Sequence, residues 1–131
     1  MSFGQRDYDR TKPEIDFTGE TPPTELVVED LIEGSGPAVE AGSRVQVHYV
    51  GVAWSTGEEF DASWNRGQPL DFTVGIGQVI EGWDQGLLGM RVGGRRRLEI
   101  PSSMAYGERG AGGAIGPNEA LIFVVDLVDV R

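Results

Sequence analysis

Two periodicities of apolar residues divide the chain. From Arg44 to Trp54, Val45, Val47, Tyr49, Gly51 and Ala53 alternate with Arg44, Gln46, His48, Val50 and Val52. A period of two puts one side of a β-strand against a core and leaves the other in mixed surroundings. On this pattern Tyr49 points inward and His48 faces solvent. Glu25 to Ile32 is rich in β-branched residues and stops at Gly34-Ser35-Gly36-Pro37, a turn signal, so a strand is predicted there too. Leu70 to Val74 and Arg95 to Ile100 predict short strands. Leu121 to Val130 predicts a long one, with Leu121, Phe123, Val125 and Leu127 on one face and Asp126 opposite.

Between Gln78 and Leu88 the period changes. Val79, Trp83 and Leu87 stand at i, i+4 and i+8, and Ile80, Trp83 and Leu87 at i, i+3 and i+7, which predicts one apolar stripe on a short helix. Gly82 and Gly86 lower its intrinsic helicity, so packing must hold it. Strands joined by loops, with a single helix, predict an α+β domain whose antiparallel sheet wraps around that helix.

At 131 residues the chain has room for one compact domain. The folded pattern begins at Glu25 and runs to Arg131. Residues 1–24 mix three basic and five acidic side chains with Pro13, Pro22 and Pro23, and offer Ile15 and Phe17 as apolar anchors. They are expected to form an extended arm, a loosely ordered tail unless those two residues dock on the domain. The net charge of −10 disfavours nucleic acid and anionic membrane surfaces as partners. With no cysteine, disulfide and thiolate chemistry drop out. The first residues lack the apolar run of a secretory signal, and no stretch reaches the length of a membrane span, so a cytoplasmic protein is expected. It is expected to be a monomer, although the sequence does not give the oligomeric state.

Most catalytic motifs fail on inspection. Gly75-Ile76-Gly77-Gln78-Val79-Ile80 has isoleucine where a dinucleotide fingerprint needs its third glycine, and Gly110-Ala111-Gly112-Gly113-Ala114 lacks the Lys-Ser/Thr pair of a phosphate loop. His48 is the sole histidine, so no His/Cys zinc site or Cys-His pair can be assembled. Glu58, Glu59 and Asp61 could suggest paired-carboxylate hydrolysis, but adjacent glutamates after a turn read better as a solvated edge. Arg95, Arg96 and Arg97 alternate faces on a strand, giving surface charges and one inward stem.

What is left is a concentration of aromatic and aliphatic residues at element edges: Tyr49, Phe60, Phe72, Val79, Ile80, Trp83, Tyr106, Ile115 and Phe123. Singly, each is a core residue. Together with their neighbours they lie in four ordered segments, VHYVGVAWSTGEEFDAS from Val47, GQVIEGWDQGLLGMRVGGRRRLEIP from Gly77, AYGERG from Ala105 and ALIFVVDL from Ala120. These closely resemble the FKBP-type peptidyl-prolyl isomerases, over about Glu25 to Arg131.

The resemblance implies a twisted antiparallel sheet curled around the helix and an apolar pocket between them. It puts Trp83 at the pocket floor, Tyr49, Phe60, Phe72 and Phe123 in its walls, and Val79 and Ile80 at its rim, where the Ile80 N–H would bind a substrate carbonyl. Asp61 and Tyr106 match the family's polar residues, and Arg66 stands where an arginine often pairs with that aspartate. Leu70, where the family frequently has an aromatic, and Ile115 complete the substrate-binding set. Met104, Ala111 and Ala114 are smaller than is common in eukaryotic relatives. The implied catalytic set is therefore Asp61, Tyr106, Ile80 and Trp83. The implied partners are proline-containing polypeptides and macrolides of the rapamycin type, with no cofactor and no metal. A scaffold that keeps the pocket but turns over slowly is the second reading.

Overall fold

The computed structural model describes residues 10–16 and 21–131. Six strands, β1 (Val27–Ile32), β2 (Arg44–Ala53), β3 (Glu59–Ala62), β4 (Leu70–Thr73), β5 (Arg95–Ile100) and β6 (Leu121–Val130), form one antiparallel sheet around the helix α1 (Glu81–Gly86). The strand order is β1-β5-β6-β2-β3, with β4 also pairing with β2. One edge of β2 is thus taken by β6. The other is shared, β4 pairing with Arg44 to Val47 and β3 with Val50 to Val52. In the gap between them, the buried Ser63 side chain replaces a strand partner by accepting the Tyr49 N–H at 2.7 Å.

The helix is shorter than the apolar stripe predicts. It starts at Glu81, and Ile80 before it is extended (φ −62°, ψ 153°), so Val79 and Ile80 are not part of the helical stripe. The cause is local. The Asp84 carboxylate accepts the N–H groups of Gly75 and Gly77 at 2.8 and 3.0 Å, folding the preceding turn back over the helix. The two helical glycines have a packing reason. A Cβ on Gly82 would come within 2.6 Å of Ile100, and one on Gly86 within 2.8 Å of Leu98, so the helix lies almost backbone-first on β5. Trp83 and Leu87, both buried, reach past β5 toward the centre of the sheet.

The outer face of the sheet is covered as well, against expectation. Residues 10–16 are not a loose tail: Arg95 donates to the Thr11 carbonyl at 3.1 Å and Arg97 to that of Asp16 at 2.9 Å. Ile15 packs on a second apolar cluster of Val52, Trp54, Ala120 and Ile122. Phe17, the other expected anchor, lies outside the described residues. Asp126 is fully buried and ion-paired to Arg95 at 2.8 Å and Arg10 at 3.3 Å.

His48, expected to face solvent, is only 6% exposed. Its ring stacks on Trp64, with centroids 4.3 Å apart, and its Nδ1 is 2.9 Å from Ser63 Oγ. Burial holds its pKa below the ordinary value, opposed in part by the charge of Asp126. Of the three arginines, Arg96 is the inward stem: it pairs with Asp30 and donates to the carbonyls of Gly86 and Leu88 at the end of the helix.

The close approach at Gly82 can be tested directly. Alanine there adds helix propensity worth about 1 kcal/mol, but the clash with the β-branched and fully buried Ile100 is an overpacking that costs about 1–3 kcal/mol. Gly82→Ala should therefore show a net loss of stability in urea unfolding, and a gain would mean that the helix does not rest on β5 this closely.

Candidate active site

The side chains that meet on the concave face come from five separate elements. Trp83 of α1 is 3% exposed and meets Tyr49 (β2) at 5.0 Å, Phe123 (β6) at 5.1 Å and Phe72 (β4) at 5.6 Å between ring centroids. The first two contacts are edge-to-face, the arrangement favoured by ring quadrupoles. Its Nε1 is buried and finds no acceptor among the described residues. Ile115 is buried in the same cluster, and Phe60, Leu70, Val79, Ile80, Met104 and Ala111 pack against it while half-buried.

Phe60 reaches this face through a bulge that the sequence pattern does not reveal. In the β2–β3 ladder Gly51 is opposite Asp61 and Val52 opposite Glu59, so Phe60 is the extra residue. A bulge lets two successive side chains leave on one side. Phe60 accordingly meets Phe123 edge-to-face at 5.5 Å, while its neighbour Asp61 reaches the Tyr49 hydroxyl on the same concave face. Gly51 opposite must be glycine for steric reasons, since a Cβ there would stand 2.6 Å from Phe123 and 2.7 Å from Phe60.

The rim is polar and closed upon itself. The Tyr49 hydroxyl donates to Asp61 Oδ2, and Arg66 donates to Asp61 Oδ1 and to the Tyr49 hydroxyl, each at 2.8 Å. Burial by itself would raise the Asp61 carboxyl, but the hydrogen bonds from Tyr49 and Arg66, with the charge of Arg66, outweigh it and hold the pKa below its ordinary value. Burial and then the bond to Asp61 push the Tyr49 phenol up to about 12. Tyr106, 39% exposed, feels the same carboxylate: burial first and Asp61 second raise its pKa. The Ile80 carbonyl accepts from Trp83 and Asp84, whereas its N–H has no acceptor among the described residues.

The structure thus gathers Tyr49, Phe60, Leu70, Phe72, Val79, Ile80, Trp83, Ile115 and Phe123 in one apolar cluster, with Asp61 bonded to Tyr49 at its polar edge and Tyr106 within reach of the Asp61 charge. Glu59 belongs elsewhere: it points to the outer face, where Lys12 and Asn65 hold it. That removes it from any carboxylate pair with Asp61. Ser63, Trp64 and Gly51 support the site without any local sequence signal for it. Their roles depend on the neighbours that the bulge and the gap in β2 create, and only the period-two position of Gly51 hinted at its inward face.

A cluster of aromatic rings with a hydrogen-bonded polar edge, set between an antiparallel sheet and a short helix, is the class of site the fold presents. Comparison with known proteins supports and narrows this class. Residues 36–128 match the family described as FKBP-type peptidyl-prolyl cis-trans isomerase. An FK506-binding protein of Streptomyces anulatus is 66% identical over 120 residues, covering 91% of this chain and 97% of that protein. The peptidyl-prolyl cis-trans isomerase FPR2 of Saccharomyces cerevisiae is 51% identical over 106 residues, covering 81% of this chain and 76% of that protein. The crystal structure of a peptidyl-prolyl cis-trans isomerase from Pseudomonas syringae pv. tomato superimposes with a TM-score of 0.72 at 40% identity, over 81% of this chain and 75% of that one. The chain belongs to the FKBP-type peptidyl-prolyl cis-trans isomerase family.

The rim predicts a flat pH profile. A carboxyl held below the ordinary aspartate value of about 3.9 stays ionised through the neutral range, and a phenol at about 12 stays protonated. Because the Asp61 pKa is depressed by folding, its contribution to stability is present above the ordinary value and lost as pH falls through the folded one. We expect kcat/KM for a proline tetrapeptide to be constant between about pH 5 and 9. A titration centred near pH 6 would contradict this assignment of charge.

Proposed function

We propose that the chain accelerates cis/trans rotation about X–Pro bonds of polypeptides by taking the proline ring into the pocket above Trp83. The observation that carries this is the convergence of the Tyr49, Phe72, Trp83 and Phe123 rings under a rim in which Asp61 is held ionised by Arg66 and Tyr49. Unaided, X–Pro isomerisation takes on the order of tens to hundreds of seconds, because amide resonance must be broken. In the twisted transition state the nitrogen is pyramidal and the carbonyl less polarised, so a dry apolar site favours it over the planar amide.

The rim supplies direction. The Ile80 N–H, unengaged among the described residues, donates to a substrate carbonyl and holds one side of the bond while the other turns. Tyr106, which feels the Asp61 charge, donates its hydroxyl as a second anchor, and the Asp61 carboxylate gives that part of the rim a fixed negative charge. Phe60, Leu70, Val79 and Ile115 line the approach and suit a hydrophobic residue before the proline. Rotation needs no covalent intermediate, so the site works by positioning and desolvation.

The same site is proposed to take macrolides of the rapamycin type; the Streptomyces relative is named for binding FK506. A slow-turnover scaffold would bind them equally well, and catalysis separates the two readings. In a tetrapeptide assay micromolar protein should accelerate isomerisation well above background, and a rapamycin-type macrolide should inhibit it while changing a fluorescence component that Trp83→Phe removes. Macrolide binding without acceleration would leave only the scaffold. No response to macrolide at saturation would count against a shared pocket.

A further inference from the structure

Two hydrogen-bonded networks stand back to back across β3 and the 3-10 turn Ser63–Arg66 that follows it. On the concave side Asp61 is tied to Arg66. On the outer side Glu59 is tied to Asn65, whose Nδ2 donates to Glu59 Oε2 at 2.9 Å. Each network therefore joins one residue of the strand to one of the turn, and the partners on the turn are consecutive. A shift of the turn against the strand that loosens one network disturbs the other.

The outer network is completed from the N-terminal arm. The Lys12 ammonium lies 2.8 Å from Glu59 Oε1 and donates to Asn65 Oδ1 at 3.0 Å, closing a three-membered ring. Lys12 and Asn65 hold the Glu59 carboxyl below its ordinary pKa, the lysine bond being the larger cause. Independent contacts deliver the lysine to this place: Arg95 holds the Thr11 carbonyl, and Ile15 is seated among Val52, Trp54, Ala120 and Ile122. With the backbone on both sides of it anchored, Lys12 loses less freedom on pairing than a lysine on a free tail would.

We propose that Lys12 is a positioning residue of the isomerase, an arm-borne cation that locks the β3 bulge to the 3-10 turn and so keeps Asp61 and Arg66 in place at the pocket rim. The proposal rests on the reading that the Asp61 edge serves catalysis. It makes the arm a part of the working enzyme. The expected signature is kinetic, because a solvent-accessible ion pair adds little to global stability while small displacements of a positioning group are costly to rate.

The test is a mutant cycle of Lys12→Met and Asp61→Asn, with Lys12→Arg as the conservative variant, each measured for kcat/KM on a proline tetrapeptide and for Tm. Lys12→Met should lose about threefold to tenfold in kcat/KM, within the range of couplings between residues of one network, with Tm unchanged. Lys12→Arg should stay close to the parent, since a guanidinium can reach both acceptors. In the Asp61→Asn background, Lys12→Met should cause no further loss. Parent-like activity in Lys12→Met beside an impaired Asp61→Asn would overturn the proposal, and so would an equal loss in both backgrounds. A fully active Asp61→Asn enzyme would bring down the reading of the rim itself, and the proposal with it.

Discussion

The depth at which Trp83 sits is the constraint on which the pocket depends, and it is set by two hydrogen atoms. Gly82 and Gly86 present no side chain to β5, so the helix settles directly on Ile100 and Leu98. At that separation the indole reaches Tyr49, Phe72 and Phe123 together, on three different strands. A thicker helix face would lift the ring away from at least some of them. The glycines lower helix propensity by about 1 kcal/mol each, and tertiary packing offsets that loss.

The polar edge solves a different problem, that of keeping a charge beside an apolar cluster. An isolated carboxylate there would be driven toward its neutral form by desolvation. Asp61 stays ionised because Arg66 and Tyr49 approach it from two sides, and the bulge at Phe60 makes that possible without withdrawing Phe60 from Phe123. Apolar wall and polar edge therefore come from adjacent residues of a four-residue strand. A regular strand would have sent one of the two to the outer face.

The outer face has its own logic. Val50, Val52 and Ile122 point away from the pocket, yet they are as well buried as the concave side, since the arm and Trp54 close over that region. His48 and Asp126, paired in register, are buried on this face too, His48 under Trp64 and Asp126 between Arg10 and Arg95. This explains the even run of apolar residues in β6, where Ile122 and Val124 match Leu121 and Phe123 in burial. His48 likewise sits on the outward side of the alternation, but Trp64 takes the place of water there.

Local pattern was enough to predict the strands at β1, β2, β4, β5 and β6, the inward face of Tyr49, the one inward arginine and the presence of a helix around Trp83, because each follows from the spacing of side chains along a few residues. The likeness of four ordered segments to a known family added the grouping of Tyr49, Phe72 and Phe123 around Trp83 and the pairing of Asp61 with Arg66. Strand β3, its bulge, the late start of α1 at Glu81 and the docking of residues 10–16 were decided only in three dimensions. Each depends on partners distant in sequence or on ladder register: Phe123 and Gly51 for the bulge, Arg95 and Ile122 for the arm. Periodicity describes which way a side chain points, but what it meets there is a property of the folded chain.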